Sequence, residues 1–273
     1  MLELPEAAAL AAQATSLMAG RAVVAAEARH TAHKLSWYFG DPAAYGDLLT
    51  GRTVTGARSW GGHLELVLDD DVRVVLSDGA VPRLFGPGTA VPERHQLRMD
   101  LDDGSAFVVT IAMYGGIQAF HDGENENPYY LVARAAPSPL ADGFDASTLL
   151  AADGAARLSA KALLATEQRV PGLGNGALQD ILWTAGVHPR RKVADLDDDA
   201  RRALVAAVPA VLRRMTAEGG RDTERDLLGR PGGYATVLSR RTLELPCPRC
   251  GGRVAKEQYL GGAVYACPAC QPL

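Results

Sequence analysis

Four cysteines, all within the last 27 residues, are the most explicit chemistry in this 273-residue chain. They stand as CPRC (Cys247, Cys250) and CPAC (Cys267, Cys270), a C-x2-C-x16-C-x2-C spacing. That is the spacing of a zinc ribbon, in which two knuckles bring four thiolates into a tetrahedron. The metal replaces a core that so short a segment cannot build. A pair of disulfides or redox CxxC sites is the competing reading, disfavoured because no further cysteine or secretion signal accompanies them. All four positions of the tetrahedron are filled by protein, so one structural zinc is expected.

Two carboxylates open the chain in MLELPEAAALAAQ. Glu3 and Glu6 either supply negative charge at a helix start or handle protons. A glycine-rich segment, VPGLGNGALQD (170–180), follows the helical ALLATEQ rather than a strand, which argues against a dinucleotide or P-loop cradle. Helix, tight turn and helix instead present free N–H groups and the Asn175 amide beside Gly174, a seat for a phosphate or a purely structural hairpin. A third cluster, ARHTAHKLSWYFGDP (28–42), packs His30, His33, Lys34, Trp37 and Tyr38 together. It could stack a base, donate protons or contact phosphate, or it is an exposed loop anchored by its aromatics. A metal site from His30 and His33 alone lacks a third ligand.

The elements that must position these residues divide the chain in two. Residues 1–153 carry 10 Lys and Arg against 20 Asp and Glu, a net charge of −10; residues 154–273 carry 18 against 12, a net of +6. A basic half joined to an acidic half suits a nucleic-acid binder, because phosphate contacts need local positive charge rather than a positive total. Uneven solvated surface is the plainer alternative.

LPEAAALAAQATSLMAG reads as a first helix with Pro5 near its start. RAVVAAEA, HLELVLDD, VRVVLSD, HQLRMDLDD, SAFVVTIAMY and GIQAFHD then read as antiparallel strands separated by DD, DG, GG and PG turns. From about residue 146 the patterns are helical, with the Asp run 195–199 at the start of the last helix. The expected fold is α+β. An N-terminal two-layer β-sandwich with an N-terminal helix spans 1–130, a Pro-rich linker 131–145, a helical domain 146–240 and the ribbon 241–273. With 47% hydrophobic residues the core is ample. Acidic Glu3 and Glu6, Pro5 and the lack of a long apolar run leave no signal peptide or membrane span. A soluble, cytoplasmic, monomeric protein is expected.

KALLATEQRVPGLGNGALQDILWTAGVHPRR (161–191), followed by the ribbon, closely resembles the helix-two-turn-helix of the formamidopyrimidine-DNA glycosylase and endonuclease VIII family. ELPE, PSPLADGFD (137–145) and MTAEGGRDT (215–223) fit the same template. The resemblance implies a bacterial, nucleoid-associated repair glycosylase that grips damaged double-stranded DNA in an interdomain cleft, with single-stranded DNA as the alternative. It implies phosphate contact by Asn175 with Gly174, and DNA contact by Arg190, Arg191, Arg240, Arg241, Met113 and Tyr114.

In that family an N-terminal proline, bared by removal of Met, attacks the sugar C1′ as an amine, and elimination then nicks the strand. Here the residue is Leu2, which is not small, so Met1 is expected to stay. The family's strand-turn lysine falls at about Gly62, its gap-plugging Arg and Phe in AMYGG (112–116), and its ribbon arginine near Gly262. Lys34, the one lysine in residues 1–160, is the substitute amine. Otherwise Glu3, aided by Glu6, activates water in a monofunctional glycosylase with weak or absent strand nicking. The alternative is a degenerate lesion binder without turnover. Gly115 and Gly116 are read as leaving room for a bulky base adduct.

Overall fold

The computed structural model describes residues 1–273. Helix α1 (Leu4–Met18) begins on Glu3, whose backbone is extended, and Pro5 occupies a first-turn position where its missing N–H leaves no bond unmade. Its buried residues, Leu4, Ala7, Leu10, Ala11, Ala14 and Met18, recur at helical spacing. Leu10, Ala11, Ala14 and Met18 enter the sandwich core, whereas Leu4 enters the core of the helical domain. The first helix is therefore shared by both domains.

Strands β1 (Val23–Ala28), β2 (Ser36–Tyr38), β3 (Val54–Trp60), β4 (His63–Leu68), β5 (Val72–Phe85), β6 (Leu97–Leu101) and β7 (Ala106–His121) pair in the order β1-β6-β7-β5-β4-β3. β2 adds to β7 in parallel, from Ser36↔Gly115 to Tyr38↔Ile117. β5 and β7 are longer than their apolar runs suggest: they pair from Val72↔His121 to Phe85↔Ala106, with a register shift between Asp78 and Ala80. At that bend the continuous ladder turns from one layer of the sandwich to the other. Glycine permits it, because a Cβ on Gly79 would stand 2.7 Å from the Tyr114 carbonyl oxygen. Short helix α2 (Tyr45–Leu49) closes one end, with the Tyr45 hydroxyl donating to the Phe39 carbonyl at 2.7 Å and the Ile117 carbonyl 3.2 Å away.

The segment expected to open a linker is helical: α3 (Pro128–Ala135), capped by the Asn127 side chain, buries Tyr130 against Val75 and Phe120 of the sandwich. Alanine-rich VARAA carries enough helix propensity for this once Pro128 starts the turn.

The helical half comprises α4 (Ser147–Ala151), α5 (Ala160–Ala165), α6 (Asn175–Ala185) and α7 (Asp198–Ala217). Asp197 caps α7 by accepting from the Ala200 N–H at 2.8 Å, as the acidic run predicts. A cluster of 22 buried residues forms this domain's core. Hairpin β8 (Ala255–Tyr259) and β9 (Gly262–Ala266) carries the ribbon. No helix is long and apolar enough to cross a membrane.

Candidate active site at the interdomain cleft

Main-chain contacts join the start of the chain to both domains. The Leu2 N–H donates to the Asp78 carbonyl at 2.6 Å, and the Leu4 N–H donates to the Gly172 carbonyl at 2.8 Å. Gly172, with φ +74, presses directly on Gly61 and Gly62, an approach that any side chain would block.

This places Glu3 against the N-terminus of α6. Glu3 Oε1 accepts from the Gly176 N–H at 2.9 Å and Oε2 from the Ala177 N–H at 2.8 Å. Arg221 Nη1 lies 3.3 Å from Oε1. Two free amides and the positive end of a helix form an anion seat, and Glu3 occupies it, only 4% exposed. A Cβ on Gly174 would come within 2.6 Å of Glu3 Oε1 and displace the carboxylate from this seat. Glu6 is held differently: Arg221 donates through Nε to Oε1 at 2.9 Å and through Nη2 to Oε2 at 2.8 Å, with the Arg221 N–H adding a third bond.

A cavity of about 280 Å³ opens beside these groups, lined among others by Met1, Glu3, Asn175, Arg221, Glu224 and Arg240. The Met1 amine contacts Glu224 at 2.8 Å. Lys34 is exposed on the loop before β2 and lines no part of this cavity. Met113 and Tyr114 stand exposed at the β7 bend, and Trp37 stacks on Tyr114 with ring centres 6.4 Å apart. The space expected at Gly115 and Gly116 is absent. The Trp37 indole fills the side of Gly116, and a Cβ on Gly115 would meet Ile111 and Ala80 at 2.8 Å.

Asn175 Nδ2 donates to the Ala263 carbonyl at 2.6 Å, while its Oδ1 is buried without a partner. Arg190 pairs with Glu257 at 2.8 Å and lies over the Tyr259 ring; Arg191 donates to the Asp195 carbonyl and Arg241 to that of Asp222. Arg240 is exposed on the cavity rim. Sequence reasoning passed over Arg221 and Lys161. Lys161 is buried, donates to the Tyr259 carbonyl at 2.7 Å and has its pKa pushed down by burial. The charged side chains inside MTAEGGRDT and at the head of KALLATEQ were the available signal.

The four thiols converge as their spacing predicts. Cys247 and Cys270 Sγ lie 3.9 Å apart, Cys250 and Cys267 Sγ 3.4 Å apart, and all four fall within 4.8 Å of one another. A tetrahedron with Zn–S bonds of about 2.3 Å has edges of about 3.8 Å, so the cluster fits zinc. The Trp183 indole N–H donates to Cys247 Sγ at 3.4 Å, which orients that ligand. The ribbon then seats on α6: Asn175 and Gln179 both donate to the Ala263 carbonyl, and Gln179 Oε1 accepts from the Tyr265 N–H.

No protein-family model matches the chain. It is, however, 30% identical over 292 residues to the formamidopyrimidine-DNA glycosylase of Nocardia farcinica, covering 100% of this chain and 98% of that protein. The chain belongs to the formamidopyrimidine-DNA glycosylase family. The glycosylase of that name from Laribacter hongkongensis is 35% identical over 191 residues, 68% of this chain and 69% of its own. Among solved structures, Thermus thermophilus MutM (Fpg) superposes with a TM-score of 0.81 at 25% identity, covering 98% of both chains. Lactococcus lactis Fpg, in complex with DNA containing an abasic site, gives 0.84 at 23% identity, covering 99% of this chain and 100% of that one.

Within the formamidopyrimidine-DNA glycosylase fold, Gly62 and Gly262 are closely surrounded. A Cβ on Gly62 would stand 3.0 Å from the Leu2 carbonyl oxygen, beside the start of the chain. One on Gly262 would stand 3.5 Å from Asn175 Nδ2 and 3.6 Å from Lys161 Nζ. Gly62 thus faces the Leu2 carbonyl and Gly262 faces Asn175 and Lys161, and neither position carries a charge.

Proposed function

We propose that this chain is a DNA N-glycosylase of base excision repair, acting on damaged double-stranded DNA held between the sandwich and the helical domain. Base release proceeds by water attack and strand nicking is weak or absent. The supporting observation is the Leu2 nitrogen. It is a peptide N–H donating to Asp78, and its lone pair is delocalised into the amide, so the atom in the family's nucleophile position cannot form an imine.

Glu3 is the group left to handle the proton. Its Oε1 is contacted twice and its Oε2 once, and the residue lines the cavity wall. A water polarised there attacks C1′ as the C1′–N bond breaks. The bonding pair leaves with the base, the water's proton passes to Glu3, and the departing base nitrogen takes it up. Gly176, Ala177 and Arg221 hold the carboxylate in one orientation. Zinc, when bound to Cys247, Cys250, Cys267 and Cys270, supplies a structural crosslink.

Duplexes carrying single modified bases, treated with alkali after incubation, test the reading. Alkali-dependent breaks that disappear in Glu3→Gln support it, whereas breaks without alkali argue for an amine mechanism. A second reading, a lesion-binding protein without turnover, is favoured by the near-complete engagement of Glu3 and by uncharged Gly62 and Gly262. It predicts tight lesion binding with no break under any treatment.

A further inference from the structure

The tip of the β8–β9 hairpin is built against local preference. Tyr259 and Gly262 face each other across a two-residue turn, in which Leu260 has φ +46 and Gly261 φ +75. Two successive positive φ values define a tight hairpin turn that Asn-Gly or Gly-Gly makes with little strain. A leucine Cβ crowds the backbone in that region, so leucine is an unfavourable choice there. Six other non-glycine residues have positive φ, namely Arg29, Asp70, Asp71, Asp78, Glu167 and Gln168. All six are polar or charged, and Leu260 is the one apolar side chain held this way.

No packing within the chain offsets the strain. Leu260 is 50% exposed and belongs to none of the hydrophobic cores, and the space beside Gly261 is open. The residues on either side are firmly held. Buried Lys161 donates to the Tyr259 carbonyl at 2.7 Å, and Asn175 donates to the Ala263 carbonyl at 2.6 Å. Arg190 donates to the Gln258 carbonyl at 3.1 Å, and its guanidinium lies 4.4 Å from the centre of the Tyr259 ring. The turn is therefore a braced post with an apolar side chain at its end.

That post stands at the edge of the cleft, since Gly262 faces Asn175, which lines the cavity together with Glu3. Residues 154–273, which carry it, have 18 basic against 12 acidic side chains, a net of +6. An apolar projection from a cationic surface matches a duplex, whose phosphates flank apolar base faces. We propose that Leu260 is a wedge, which on a bound duplex enters from the minor groove and unstacks the base step beside the target nucleotide. The proposal rests on the reading of the chain as a DNA glycosylase. Unstacking at that step lowers the cost of extruding the nucleotide toward Glu3.

A duplex with 2-aminopurine next to an abasic-site analogue reports the unstacking as a rise in fluorescence. Wild type is expected to give that rise. Leu260→Gly and Leu260→Asn, both suited to the left-handed region, are expected to keep the zinc and an unfolding midpoint no lower than wild type. Both should lose the rise and bind the duplex about tenfold or more weakly, whereas Leu260→Met should retain both properties. The salt slope of binding should be the same in all four proteins, because no phosphate contact changes. A full rise and full affinity in Leu260→Gly overturns the wedge, as does a lowered unfolding midpoint, which would show that the leucine serves the fold. Steeply salt-dependent wild-type binding that ignores these substitutions removes the wedge alone, whereas a wild type that binds no duplex at low salt removes the DNA reading with it.

Discussion

Arg221 and Glu6 lock the helical domain to the first helix through two parallel N–H···O bonds of 2.9 and 2.8 Å, with Arg221 3% and Glu6 5% exposed. The pair also fixes Glu3, since Arg221 Nη1 reaches that carboxylate. Removing one member of a buried ion pair leaves the other uncompensated. Glu6→Ala is therefore expected to lower unfolding free energy by about 3–5 kcal/mol in denaturant titration. Arg221→Lys, which lacks the fork, should recover only part of it.

The Leu2 position predicts the covalent chemistry. Borohydride should trap no adduct between wild type and a damaged duplex, and Leu2→Pro, with Met removed before proline, should gain one if the rest of the site is competent. Efficient trapping by wild type would refute the water mechanism. Loss of that adduct in Lys34→Ala would then name Lys34 as the nucleophile.

Zinc removal should act on DNA binding through α6. The ribbon holds Asn175 and Gln179 through the Ala263 carbonyl, so chelation or Cys267→Ser frees both side chains. The expected outcome is loss of one zinc per chain by metal analysis, with a parallel loss of duplex affinity. Metal content unchanged in Cys267→Ser would remove the ribbon assignment.

Asn175→Ala should weaken duplex binding uniformly across sequences, because contacts to phosphate carry no base information. The substitution also strips one of two donors from the Ala263 carbonyl, so the β8–β9 hairpin should loosen. Affinity should fall steeply with salt. A flat salt response would exclude a polyanionic partner.

Asp180 gives a pH signature. Burial pushes its pKa up from 3.8 to about 6, partly opposed by hydrogen bonds from the Val237 and Leu238 N–H groups. The folded state therefore holds a proton that the unfolded state has released between about pH 4 and 6. Linkage makes Asp180's contribution fall as pH rises through that window. The stability of wild type relative to Asp180→Asn should decline from pH 4 to 6, read from paired unfolding curves. A difference independent of pH would contradict the shift.

Local rules in the sequence determined the elements and one site. The C-x2-C-x16-C-x2-C spacing specified four converging thiols, because each knuckle is a short-range structure and zinc chemistry admits few ligand sets. Alternating apolar runs specified β1, β4, β6 and the main parts of β5 and β7, though not β2 or β3; Asp197–Asp199 specified the start of α7, and the Gly174–Asn175 turn the start of α6. Tertiary structure decided the rest. That Glu3 plugs the α6 N-terminus, Glu6 pairs with Arg221 and Trp37 fills Gly116 all depend on contacts between residues far apart in the chain, which no local period encodes. The Glu27–His30–His95 cluster shows the same limit: His30 and His33 lacked a third ligand in the sequence. The fold brings Glu27 and His95 to His30 as hydrogen-bond and stacking partners, because pairing of β1 with β6 carries one strand's side chains to the other's end.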